Sequence, residues 1–167
     1  MSKSSWIAVS MFLFACGGSG ASSGEGNGGG TSGGEGSEQD ELRAAIAAMV
    51  VAPERPWSGR RTTTKGTDMV MRFEPVFRVM FQDFEADHYG DFGCASCHGD
   101  DADERDYHMP SAHLPPVALP GTPAYQQMAS EHPGDTRFME EQVLPTMQTM
   151  LGMGATFTCN GCHPTAE

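Results

Sequence analysis

The sequence predicts a mostly α-helical domain with long loops, set behind an apolar leader and a glycine-rich spacer. Three observations carry this. Apolar residues recur at spacings of three and four in two long segments. No segment alternates polar and apolar residues in the manner of a half-buried strand. Eleven of the twenty residues from 17 to 36 are glycine, so that stretch has little to bury and much chain entropy to lose. A chain of 167 residues suits one domain plus appendages.

The leader "MSKSSWIAVSMFLFAC" holds Lys3, an apolar run from Trp6 to Ala15, and then Cys16. The run is too short for a membrane-crossing helix, which needs about 20 residues. It suits the hydrophobic region of a signal peptide. Leu13, Ala15 and Cys16 resemble the lipobox of bacterial lipoproteins, although Phe14 and the single basic residue depart from the usual pattern. The resemblance implies export, lipidation of Cys16 and a lipid anchor in a bacterial membrane. Gly17 replaces the aspartate that holds many lipoproteins at the inner membrane, which favours the outer membrane on the same analogy. An ordinary cleaved signal with an unused cysteine is the alternative. Residues 17–36 would then be a flexible tether with a root-mean-square span of roughly 25 Å. The expected organisation is a signal peptide at 1–15, a lipidated cysteine and tether at 16–36, and a domain at 37–167.

Within the domain, Ser37 is a candidate N-cap for "SEQDELRAAIAAMVVAP", a run of good helix formers that Pro53 stops. "SGRRTTTKG" reads as a basic loop. Residues 67–90 carry Phe73, Val76, Phe77, Met80 and Phe84 on one helical face, with Pro75 as a kink or boundary. Residues 99–121, rich in Asp, His, Pro and Gly, read as a long loop. Thr122 and Pro123 open a short helix. A further helix ends near Gly152, with Val143, Leu144, Met147, Met150 and Leu151 along one side.

The formal charge is −12, and loss of residues 1–15 removes Lys3, leaving 9 basic against 22 acidic residues. Nucleic acid is an unsuitable partner for such a chain. A basic protein face is a suitable one. Nine acidic residues and one arginine lie between Asp83 and Asp106.

Those acids flank a cysteine motif. "FGCASCH" and "FTCNGCH" repeat Cys-x-x-Cys-His, using Cys94, Cys97 and His98, then Cys159, Cys162 and His163. This is the attachment sequence of c-type haem. Two thiols bond to two vinyl-derived carbons on one porphyrin edge, and the adjacent histidine supplies the proximal iron ligand. Two motifs imply two covalent haems. A Cys₄ zinc site is a rival reading, but Cys97 and Cys159 lie 62 positions apart, far beyond zinc-ribbon spacing. Two small disulfide loops are another, since exported cysteines usually pair.

A repeat surrounds the motifs. "VFRVM" at 76–80 lies over "VLPTM" at 143–147, and Gly90 and Phe92 match Gly154 and Phe157. The units span about 67–98 and 136–163. Each resembles the repeating unit of the multihaem cytochrome subunit of photosynthetic reaction centres: a helix with a methionine, a turn, then Cys-x-x-Cys-His. The resemblance concerns architecture and ligation only, since that subunit usually carries four haems. It implies that Met80 and Met147 are the sixth iron ligands, against the alternative that both are core filler. Met109, in "YHMPSAHLPP", is the other candidate at the first haem. Methionine–histidine ligation would raise the reduction potential and leave no open iron site.

The resulting expectation is an exported, membrane-tethered dihaem electron carrier that meets redox proteins, with much of its core formed by haem. A dihaem enzyme with one open iron, such as a peroxidase, and a structural zinc or disulfide module are the alternatives.

Overall fold

The computed structural model describes residues 35–166. The signal peptide, the lipidation site Cys16 and the spacer up to residue 34 lie outside the described residues. Among the described residues the domain is helical, and its only extended pairing is an isolated parallel bridge between Val117 and Thr165. No described helix is long and apolar enough to cross a membrane.

Helix α1, Glu35–Ala47, takes in the last two residues assigned to the spacer. A 3₁₀ turn at Trp57–Gly59 leads to α2, Thr62–Asp68, a π turn at Met69–Phe73, and α3, Glu74–Phe84, in one unbroken helical run. The expected basic loop is therefore helical from Thr62 onward. Threonine is a modest helix former, but tertiary anchors override propensity here. Lys65 lies over the Trp57 ring at 5.4 Å, and Arg60 pairs with Asp68. Pro75 neither kinks nor ends the run. The Glu74 N–H bonds the Met69 carbonyl five residues back, and this wider turn absorbs the proline's missing donor.

Short helices α4, Ala86–Tyr89, and α5, Cys94–His98, follow. The long loop runs as expected to α6, Pro123–Glu131, where Thr122 Oγ1 accepts the Tyr125 N–H at 3.2 Å. Then α7, Pro133–Phe138, a π turn at Met139–Val143, and α8, Leu144–Leu151, form the second long run. Gly152 ends it at φ +64°, a conformation that costs other residues energy, and a Cβ there would stand 3.0 Å from Pro53 Cγ. Two 3₁₀ turns, Gly154–Thr156 and Cys159–Gly161, close the chain.

The core is made of protein side chains: Phe73, Val76, Phe77, Phe81, Phe92, Phe138, Met150 and Leu151. Phe81 sits at its centre, stacked on Phe92 at 4.7 Å and edge-on to Phe138 at 5.0 Å and Tyr89 at 4.9 Å. Phe84 stacks on Phe138 at 4.1 Å, so α3 meets α7 through aromatic faces. Arg43 of α1 pairs with Asp83 of α3 at 2.7 Å.

The two long runs share a π turn followed by proline at the second α position, which offers a second register for aligning them. Pro75 matches Pro145, and this places Met80 over Met150 and Phe81 over Leu151. The alignment of "VFRVM" with "VLPTM" is three residues away. Three residues is almost one helical turn, so both registers keep the apolar stripe on one face and periodicity alone does not separate them.

Replacing Phe81 by Ala is expected to destabilise the protein by about 3–5 kcal/mol, because the neighbouring rings are fixed on three elements and collapse poorly into the cavity. A denaturant midpoint measured on Phe81→Ala against the parent checks this.

Candidate functional site

Each Cys-x-x-Cys-His segment folds as a tight turn. In the first, Ser96 Oγ accepts the Gly93 N–H at 3.0 Å and the Ser96 N–H returns to the Gly93 carbonyl at 3.0 Å. Cys94 is exposed, whereas Cys97 packs against the core. In the second, the Cys162 and His163 N–H groups both bond the Cys159 carbonyl, at 3.1 and 2.9 Å. All four cysteines are free thiols. Gly99, directly after the first motif, has φ +84°, and a Cβ there would lie 2.3 Å from the His113 ring, so only glycine lets this loop close.

The loop after Gly99 brings the two turns together. The Ser111 N–H donates to the Cys162 carbonyl at 3.0 Å, and Ser111 Oγ donates to the His98 carbonyl at 3.1 Å. Ser111 is completely buried. Further along, Pro115 offers its carbonyl to His163 Nδ1 at 2.9 Å. Val117 bonds Pro164 through its N–H, and its carbonyl accepts from Asn160 Nδ2 and the Ala166 N–H. Residues 111–117 thus form a strap that holds both motifs by their backbones and orients one imidazole.

The two histidines differ. A carbonyl only accepts, so His163 carries its proton on Nδ1 and leaves Nε2 with a free lone pair. The buried His98 Nδ1 has no hydrogen-bond partner among the described residues. Burial, and then the Arg105 charge, hold the His98 pKa below its usual value, so this ring is neutral near pH 7. Arg105 donates to the His98 carbonyl and to Asp101 at 2.8 Å, and His113 Nε2 meets the same carboxylate at 2.8 Å. Tyr107 stands edge-on to His98, with ring centroids 5.4 Å apart.

Cys97, Cys159 and Cys162 are held protonated. Burial pushes Cys97 up to about 11, with Cys94 adding to the shift. Burial pushes Cys162 up to about 12, with Cys97 and Cys159 adding to it. Cys97 therefore bears on Cys162 across the two motifs. Burial also raises Cys159. Catalytic Cys-x-x-Cys pairs show the reverse, a thiol acidified by nearby positive charge or a helix N-terminus. Thiol–disulfide exchange is thus a poor match to this site. Among the described residues, no group of three His, Cys, Asp or Glu side chains gathers in metal-binding geometry.

Met80 and Met147 are both half-buried and pack against the core. Met150 is only 1% exposed. Met109 is half-buried in the strap's approach. Of the nine acidic residues around the first motif, the structure engages Asp83 with Arg43 and Asp101 with Arg105 and His113. A cleft of about 200 Å³ opens beside Cys94, Gly99, Asp103 and Tyr107. That is below the ordinary 300–1,000 Å³ of an enclosing ligand pocket, so it is an open edge. Sequence reasoning missed Ser111, Pro115 and Asn160, because a single serine or a proline carbonyl carries no pattern until the loop is folded.

In chain prepared without haem maturation, Cys97 and Cys162 are expected to alkylate about tenfold or more slowly than exposed Cys94 between pH 7 and 9. Mass mapping after brief iodoacetamide treatment checks it. Above the ordinary thiol value of 9, the unfolded chain releases these protons while the folded one keeps them, so rising pH favours unfolding. Melting temperature should therefore fall from about pH 9 toward pH 12.

No protein family, curated protein or solved structure matches the chain.

Proposed function

We propose that the chain is an exported dihaem c-type cytochrome that carries electrons on the periplasmic or cell-surface side of a bacterial membrane, tethered there through Cys16. The observation that carries the reading is the pair of Cys-x-x-Cys-His turns, each with two free thiols and a neutral or properly protonated imidazole. The donor set is that of c-type haem.

Cys94, Cys97 and His98 would hold one haem; Cys159, Cys162 and His163 would hold the other. Bound haem supplies one-electron chemistry at iron. The chain supplies the surroundings. Pro115 fixes the tautomer of His163 and raises its basicity as a ligand. Burial and Arg105 keep His98 from protonating. The open edge beside Cys94 favours exchange with a partner over enclosure of a substrate. The exposed acids around the first motif would steer a redox protein with a basic face, an attraction that salt screens. Met80 and Met147 are the proposed sixth ligands, with Met109 the other choice at the first haem. Met150 and Met153, close to the second motif in sequence, are the competitors at the second, and the proline register favours Met150 of the two.

A second reading has one observation in its favour. Cys97 lies near enough to Cys162 to add to the rise in its pKa, and nearness is what a shared Cys₄ zinc site or a cross-motif disulfide would require. It predicts a colourless protein.

An alkaline-pyridine haem spectrum, on protein from a host that matures c-type cytochromes, should give two covalent haems per chain. Cys94→Ser with Cys97→Ser should leave one. Colourless protein containing zinc or disulfides would replace this reading with the second.

Met147→Leu should convert one low-spin haem to a high-spin form that binds cyanide, read by electron paramagnetic resonance. The same change from Met150→Leu instead would assign the ligand to the residue that the prolines align with Met80. Two low-spin haems in the parent favour the carrier, and one open iron in the parent favours a peroxidase-like enzyme.

A further inference from the structure

The strap does more than cover the motifs. Ser111 is the one buried polar residue among those described, at 0% exposure, and each of its two donors ends on a different motif. Its amide holds the carbonyl of Cys162, the residue before His163. Its hydroxyl holds the carbonyl of His98 itself. The hydroxyl oxygen also accepts the His113 N–H at 3.3 Å, so both of its roles are used. Two carbonyls bonded to one residue lie within a few ångströms of each other, although their motifs are far apart in sequence.

The remaining strap bonds fall on the second motif. Asn160, inside it, donates to Val117 at 3.2 Å. His163 donates to Pro115, and the chain just beyond is paired with Val117 on both sides. The strap reaches the first motif through Ser111, and Arg105 reinforces that end by donating to the same His98 carbonyl.

We propose that Ser111 is a positioning residue that locks the two Cys-x-x-Cys-His turns into one rigid unit, fixing the two proximal histidines relative to each other. The proposal rests on the dihaem reading. Groups attached to such a unit have a set separation and a set mutual orientation. Two independently mounted sites on mobile loops would not. A buried hydroxyl that donates to one backbone carbonyl and accepts from one backbone N–H has little freedom to drift, because each lost bond leaves a buried polar group unsatisfied. That is the kind of support a functional pair needs if its geometry is to be held.

The test is circular dichroism across the haem Soret band on the matured, full-length protein, after haem content has been counted. Two chromophores in fixed relation give a two-signed couplet, and two independent ones give single-signed bands. The parent should show the couplet. Ser111→Ala, which removes the hydroxyl and keeps the amide, should lose most of the couplet while retaining two haems and its helical far-ultraviolet signal. If that variant does not accumulate, Asn160→Ala, which removes one of the bonds joining the strap to the second motif, takes its place and should weaken the couplet. A single-signed parent spectrum with two haems present would overturn the proposal. So would a full couplet in the folded variant. Absence of covalent haem would instead overturn the underlying reading, which keeps the two failures distinct.

Discussion

One buried serine joins two turns that the chain places far apart. The Ser111 amide and hydroxyl end on Cys162 and His98, and the rest of the site is arranged around that junction. The strap from 111 to 117 can reach both motifs only because the loop closes tightly at Gly99, where the His113 ring occupies the space a side chain would need. Pro115 and Val117 then fall opposite His163, Pro164 and Ala166, producing the only extended pairing among the described residues. A loop that composition marks as irregular is the most tightly specified part of the site.

The aromatic core supplies the other half of the arrangement. Phe81 and Phe84 of α3 pack against Phe138 of α7, and Phe92, two residues before Cys94, stacks on Phe81. Phe157, two residues before Cys159, packs against the same cluster. Each motif is thereby pinned at its leading end by an aromatic ring and at its trailing end by the strap. The π turns before Pro75 and Pro145 matter because they keep both long runs helical through a proline, and so keep their apolar stripes on the core.

Electrostatics divide the molecule. The interior thiols are driven to their neutral form by desolvation, and Arg105 with burial keeps His98 neutral. The chain is strongly acidic, and Asp101 is paired with Arg105 and His113. Its carboxyl is held below the usual range chiefly by the Arg105 hydrogen bond.

The sequence by itself determined the helical class, the Thr122 cap, the stop at Gly152, the apolar faces of both long helices and the six residues of the two motifs. Each of these depends on local spacing or on the intrinsic chemistry of one residue, so each is visible without a fold. Periodicity did not determine register: a three-residue slip leaves the stripe in place, and the shared proline and π turn of the two runs appear only once the chain is folded. Nor did propensity reveal that Thr62 to Asp68 is helical, since that depends on Trp57, Lys65 and Arg60 meeting across the turn. Ser111, Pro115 and Asn160 lay beyond sequence reasoning altogether. Their roles are made of backbone carbonyls and amides, which every residue carries, and only the tertiary structure decides which of those meet.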